Sequence, residues 1–241
     1  MNRSLFYPPR NFGAIPAEFA EYRTARAVIL PVPYDSTSTF KAGSRDGPAA
    51  ILDSSMYVEL FDIDLRREPY RVGIHALDDI EPDMRGPRQT VDRIREAASS
   101  VLDDGKFLIT LGGEHLVSLG PVEAYAERYP NLSVMHLDAH ADMHDEYLST
   151  PYNHASVIRR IQELCPVVSA GLRTMCEDEW EYAQERDLRP IWAERIVKGD
   201  RTWIDEAIER LTDDVYLTID LDVFDPSIMA ATGTPEPGGL G

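Results

Sequence analysis

Cysteine is almost missing from this chain: Cys165 and Cys176 are the whole supply in 241 residues. Two thiols make neither a disulfide framework nor a zinc site on their own. They fit a reducing compartment. Long apolar runs are missing too. No stretch reaches membrane-spanning length, and the opening MNRSLFYPPRNFGAI has no apolar core of signal-peptide length. A cytoplasmic protein with no membrane partner is expected. Positive charge is scarce: 24 Lys and Arg against 42 Asp and Glu leave a formal net charge of −18. A surface of that sign repels nucleic acid and anionic lipid, and it favours cations. Internal repeats, low-complexity tracts and linkers are also absent, which predicts one domain over residues 1–241.

What is present alternates between two patterns. The runs RAVILPVPY (26–34), RVGI (71–74), KFLITL (106–111), LSVMHLD (132–138), VVSAGL (167–172) and VYLTIDLD (215–222) read as buried strands. Between them lie helical stretches. In 87–104, Val91, Ile94, Ala98, Val101 and Leu102 share a face, and Gly105 is a stop. In 200–211, Trp203, Ile204, Ala207, Ile208 and Leu211 do likewise behind Asp200 as a cap. Near-continuous apolar strands alternating with helices predict an α/β fold: a three-layer α/β/α sandwich with a mainly parallel sheet covered on both faces.

Ligands of such sheets bind beyond the carboxyl ends of the strands. Three polar clusters follow strands here. GGEH (112–115) leaves the strand over 106–111, with two glycines for a sharp turn and His115 at the exit. HLDAHADMHD (136–145) packs three histidines and three aspartates together, and no Lys or Arg lies between 129 and 158. His136, Asp138, His140 and Asp142 recur every second residue, so extended backbone projects them to one side. Clustered carboxylates without counter-charge are costly, and a divalent cation removes the repulsion. TIDLDVFDP (218–226) places Asp220 and Asp222 on one side at another strand end, while Asp225 before Pro226 reads as a turn residue.

The combined ligand set is His115, Asp138, His140, Asp142, Asp220 and Asp222. So many side chains suit two cations sharing carboxylates, and oxygen-dominated ligation without thiolate favours manganese over zinc. Metal-assisted hydrolysis is the chemistry implied.

Taken in order, GSRDGPAAI (43–51), GGEH, HLDAHAD, NHAS (153–156), SAGLR (169–173), TIDLDVFDP and ATGTPEPGG (231–239) resemble the ureohydrolases, the manganese enzymes that include arginase and agmatinase. TPEPGG is similar to the agmatinase branch. The resemblance implies two Mn2+ ions per chain on the residues named above, with Asp138 and Asp220 bridging them. It implies agmatine hydrolysis to putrescine and urea by a hydroxide shared between the metals. Asp142 would orient that hydroxide, and His154 would carry protons to the leaving amine. A small cationic guanidine is the implied partner, and the family's trimers or hexamers imply a homo-oligomer. The family also places a guanidinium-binding glutamate beyond GGL, and this chain stops at Gly241. The expectation is therefore a domain lacking the family's C-terminal segment, with metal binding retained. Alternatives are another ureohydrolase acting on guanidinobutyrate, arginine or formiminoglutamate, a mononuclear zinc amide hydrolase, or a non-catalytic metal-binding homologue. The remaining histidines read as supporting groups: His136 as core or backing, His75 as structural, and His144 with Asp145 as solvated or facing substrate. Arg173 is expected to pair with a buried carboxylate, and Asp46 to start a helix.

Overall fold

The computed structural model describes residues 10–241, so most of the N-terminal stretch read for a signal core lies outside the described residues. Strands β1 (Ala27–Val32), β2 (Ile74–Ala76) and β3 (Phe107–Gly112) pair in the order β2-β1-β3. Strands β4 (Leu132–Leu137), β5 (Val167–Leu172), β6 (Ile191–Trp192) and β7 (Asp214–Ile219) pair in the order β6-β5-β4-β7. Every pairing is parallel, with Ile29 opposite Ala76 and Ile109, and Val134 opposite Val167 and Tyr216. Within each sheet all the strands therefore end on the same side.

The helices are α1 (Ala17–Ala20), α2 (Gly47–Ser55), α3 (Pro87–Asp103), α4 (Leu119–Ala126), α5 (Val157–Gln162), α6 (Glu177–Glu185), α7 (Ala193–Val197) and α8 (Thr202–Arg210). Helix α3 shows how sequence becomes packing. Pro87 opens it, Val91, Ile94, Ala98 and Val101 are buried at helical spacing, and Gly105 at φ 68° ends it. That face joins a hydrophobic cluster running across both sheets, with Val28, Leu30 and Leu108 on one side and Val134, Leu172, Ile158 and Ile161 on the other. Each such side chain contributes about 1.5–3 kcal/mol by leaving water. Among the described residues, no helix is long and apolar enough to cross a membrane.

Several expectations need correction. The run at 71–74 is mostly not strand: Pro69–Val72 is a 3-10 turn, Gly73 reverses at φ 84°, and β2 starts only at Ile74. Strand β6 went unread because two residues carry no periodic signal. On α8, Trp203, Ala207 and Leu211 pack inward, but Ile204 is 44% and Ile208 63% exposed. The sheets are not covered everywhere. Alternation turns Tyr216 and Thr218 of β7 inward and leaves Val215, Leu217 and Ile219 about half exposed, as are Phe107 and Ile109 of β3 in part or whole. Asp200 does accept the N–H of Thr202 at 2.8 Å. Asp46 stands at the α2 N-cap but makes no side-chain cap bond. Asp225 is a turn residue, accepting N–H bonds from Ser227, Gly238 and Gly239.

Candidate metal centre and active site

The three strand-end clusters converge. His115 begins a 3-10 turn shortly after β3, Asp138, His140 and Asp142 follow β4, and Asp220 and Asp222 follow β7. Beyond the end of β4, Ala139, Ala141 and Met143 are buried in the core, while Asp138, His140 and Asp142 join one polar cluster, Asp142 from a left-handed backbone. At Gly113 the chain passes so close to Tyr34 that a Cβ would collide with its carbonyl. Only glycine fits there, which explains half of the Gly-Gly pair in GGEH.

His115 is the hub. Its Nε2 lies 2.9 Å from the hydroxyl of Thr218, which Ser118 contacts at 2.9 Å from the other side. Its Nδ1 is buried, in no well-aligned hydrogen bond, and faces Asp138 Oδ2 at 2.8 Å, Asp142 Oδ2 at 3.2 Å and Asp220 Oδ2 at 3.6 Å. His140 Nδ1 stands 3.0 Å from Asp222 Oδ2 and 3.6 Å from Asp138 Oδ1. Asp138 thus sits between the two imidazoles, one oxygen towards each. His136, fully buried, backs it: Nε2 is 2.9 Å from Asp138 Oδ2 and Nδ1 is 3.0 Å from Ser169 Oγ. Backbone amides hold the carboxylates in place, His140 N to Asp138 at 2.7 Å, Ala139 N to Asp222 at 3.2 Å and Asp222 N to Asp220 at 3.0 Å. Asp142 sits at φ 52°, in the left-handed region, and its carbonyl accepts the N–H of Ile158 at 3.0 Å. Backbone strain of this kind collects at functional sites.

Electrostatics expose what the cluster lacks. Burial and the charge of Asp138 push Asp142 up to about 7 and Asp220 up to about 8. Burial opposes charging His140, but Asp138 and Asp222 override it and raise its pKa to about 11. His115 is raised for the same reason: burial opposes its charge, and Asp138 and Asp142 outweigh it. The carboxylates cannot all ionise beside one another without positive charge among them. A buried imidazole nitrogen aimed at converging carboxylate oxygens fits divalent cations, and the oxygen-rich donor set fits hard ones.

His154 lies outside this set. Its Nε2 is 3.3 Å from Thr39 Oγ1, its backbone N–H donates to Thr37 Oγ1 at 3.2 Å, and its Nδ1 is buried without a partner. Burial lowers its pKa, so the ring is neutral at neutral pH. Glu114, unremarked in the sequence beyond its place in GGEH, ties this wall together. Its buried carboxylate, pushed up to about 7 by desolvation, accepts Thr37 N–H at 2.8 Å and both the Thr37 and Ser38 hydroxyls. Thr218, Ser118, Ser169 and Glu114 are the supporting residues that sequence reasoning missed. Thr218 shares the period-two side of Asp220 and Asp222, a signal that could have found it.

Three further residues fall elsewhere. Among the described residues Arg173 pairs with no carboxylate: its guanidinium donates to the carbonyls of Gly171, Asp222, Val223, Phe224 and Glu236, pinning the segment after β7. Asp145 points away, exposed and paired with Arg160 at 2.8 Å. His75 is structural, with Nδ1 2.8 Å from the carbonyl of Ala20.

Parallel strands presenting buried imidazoles and carboxylates at their carboxyl ends define an α/β protein with a donor cluster that could hold a metal ion. Comparison with known proteins is specific beyond that. The Arginase family model matches residues 25–241. An N(1)-aminopropylagmatine ureohydrolase of Thermus thermophilus is 41% identical, over 92% of this chain and 75% of its own length. The protein of the same name from Synechocystis is 34% identical, over 98% of this chain and 81% of its own length. Among solved structures, the agmatine ureohydrolase of Thermoplasma volcanium superposes with a TM-score of 0.87 at 30% identity, covering 99% of this chain and 80% of that one. The chain belongs to the arginase family.

Proposed function

We propose that this protein hydrolyses the guanidinium group of agmatine, giving putrescine and urea, on a pair of manganese ions held by His115, Asp138, His140, Asp142, Asp220 and Asp222. The observation that carries this reading is the buried Nδ1 of His115 facing three carboxylates from two other strand ends. Bound there, divalent cations supply Lewis acidity and lower the pKa of water to near neutrality. The protein's own groups do the rest. Asp142 accepts a hydrogen bond from the attacking water and orients it. His154 is neutral and anchored by Thr37 and Thr39, so its ring takes the proton given up by the attacking water and passes it to the departing amine. The carboxylates favour a cationic guanidinium over an acid, in the same sense as the net charge of −18.

A second reading takes N(1)-aminopropylagmatine as substrate, favoured by the names of the Thermus thermophilus and Synechocystis relatives. Both substrates place a guanidinium at one end of a linear amine. Urea release from each, compared as kcat/KM in manganese-loaded protein, separates them. Failure of both to release urea would overturn the reading. A cytoplasmic location, suggested by the two free cysteines, and a homo-oligomer belong to the same proposal, and light scattering tests the second.

A further inference from the structure

A second group of ligating side chains lies outside the centre described above. His144, Cys176 and Glu179 each offer one atom, and these atoms lie within 4.8 Å of one another. His144 Nε2 is 3.9 Å from Cys176 Sγ and 3.9 Å from Glu179 Oε2. Around a tetrahedral ion with ligands at roughly 2.0–2.3 Å, neighbouring donors stand about 3.5 Å apart. A small inward movement closes that difference.

Cys176 and Glu179 form the capping box of α6, Sγ accepting the N–H of Glu179 and the Glu179 carboxylate accepting the N–H of Cys176, and that box holds a thiol and a carboxylate beside the His144 ring. Cys176 occupies the N-cap of α6, where Ser, Thr, Asp or Asn is the favoured choice. Glu179 is only 5% exposed, and its oxygens accept N–H bonds from Met143 at 2.8 Å and Cys176 at 2.9 Å. Those bonds aim the carboxylate at Cys176 and His144. Among the described residues no Lys or Arg pairs with it; His144 is its one imidazole neighbour. The two N–H donors and the N-terminus of α6 offset part of the cost of burying that carboxylate, and a cation would offset the rest. His144 is part-buried and stacks on Tyr147, ring centroids 5.1 Å apart. A thiolate–imidazolium pair is the competing explanation. The His144 nitrogens stand 3.9 and 4.0 Å from Sγ, too far for a close ion pair, and burial raises the thiol while the N–H of Glu179 opposes that rise.

We propose that His144, Cys176 and Glu179 form a separate site for one thiophilic divalent cation of the zinc class. The sulfur ligand distinguishes it from the oxygen-rich centre, whose donors favour harder ions. Three protein ligands leave a fourth position for solvent. The ion joins the segment after Asp142 to the start of α6. Tyr147, edge-on to His154 with centroids 6.1 Å apart, lies between this site and the proposed proton carrier.

The test is a cobalt titration of manganese-loaded protein, read by the sulfur-to-cobalt charge-transfer absorption. The carboxylate–imidazole centre has no thiol and is silent in that band, whether or not it turns over agmatine. Wild type and Cys165→Ser are expected to develop the band at one equivalent of thiolate-bound cobalt, Cys165 being buried in the hydrophobic core. Cys176→Ser, which keeps a good helix cap, and Cys176→Ala should lose it completely. His144→Ala should weaken cobalt binding by more than about 10-fold, at least the effect of losing a group that merely supports a ligand. No band in wild type at saturating cobalt, or a band that survives in Cys176→Ser, would overturn the proposal.

Discussion

Thr218 holds His115 from behind: its hydroxyl lies 2.9 Å from Nε2, so the opposite ring nitrogen is turned into the carboxylates of Asp138, Asp142 and Asp220. Thr218 lies on β7 and His115 in the turn that follows β3, so no shared element joins them. Groups that orient a metal-binding imidazole in this way set its affinity nearly as strongly as the ligand does. Thr218→Val keeps the shape and deletes the bond. Its expected consequence is a roughly 10–100-fold loss of manganese affinity with secondary structure intact. Metal titration of the purified variant reads this directly, and unchanged affinity would remove Thr218 from the site.

His154 touches Thr37 and Thr39 and forms no ion pair with any carboxylate among the described residues. His154→Ala should therefore retain full metal content. Urea release should fall by roughly 10²–10⁴-fold, the range for loss of a general acid or base. Elemental analysis and single-turnover rates together check it; metal lost along with activity would place His154 among the ligands.

Asp138 directs one oxygen to each imidazole, whereas Asp222 approaches only His140. Removing Asp138 uncovers charge at both positions. Asp138→Ala should bind neither manganese ion, and Asp220→Ala, the other bridge that the family resemblance implies, should resemble it. Asp222→Ala should mainly weaken one ion. Equal stoichiometry in all three variants would refute the bridging assignment.

The raised carboxylates give the metal-free protein a distinctive pH dependence. Asp142 titrates near 7 and Asp220 near 8 when folded, against about 3.9 for Asp in an unfolded chain. Between those limits the folded state holds protons that the unfolded state has released, so stability falls as pH rises. His140, raised to about 11, acts in the same direction above its unfolded value. Bound cations replace those protons. The melting temperature of metal-free protein should drop between about pH 5 and 8.5, and the gap to manganese-loaded protein should widen. A constant gap in scanning calorimetry would contradict this origin.

Two isoleucines on helices test the exposed strip. Ile158 on α5 is fully buried, and Ile208 on α8 is 63% exposed. Ile158→Ala should cost about 2–5 kcal/mol by opening a cavity. Ile208→Ala should stay within about 0.5 kcal/mol. Urea denaturation of the two variants decides it, and a comparable loss at Ile208 would mean that a partner covers the strip.

Much of this molecule was legible before any coordinates. Period-two spacing grouped Asp138, His140 and Asp142, and the structure brings all three into one cluster, although Asp142 reaches it from a left-handed backbone that alternation does not describe. The amphipathic face of α3 and its glycine stop were equally local, and the structure follows them. Local rules failed where the answer depends on a distant neighbour. Strand β7 has the composition of a buried strand, yet half its side chains meet solvent because nothing lies over that face among the described residues. Arg173 looked like half of an ion pair, but carbonyls freed by the irregular chain after β7 satisfy it instead. The pairing of Thr218 with His115, and of Cys176 with His144, joins residues far apart in the chain, at a register set only when the parallel strands stack. Sequence determined which side chains each strand end would present. Tertiary packing decided which of them meet, because hydrogen bonds and charge interactions depend on distances of a few ångströms that no local periodicity encodes.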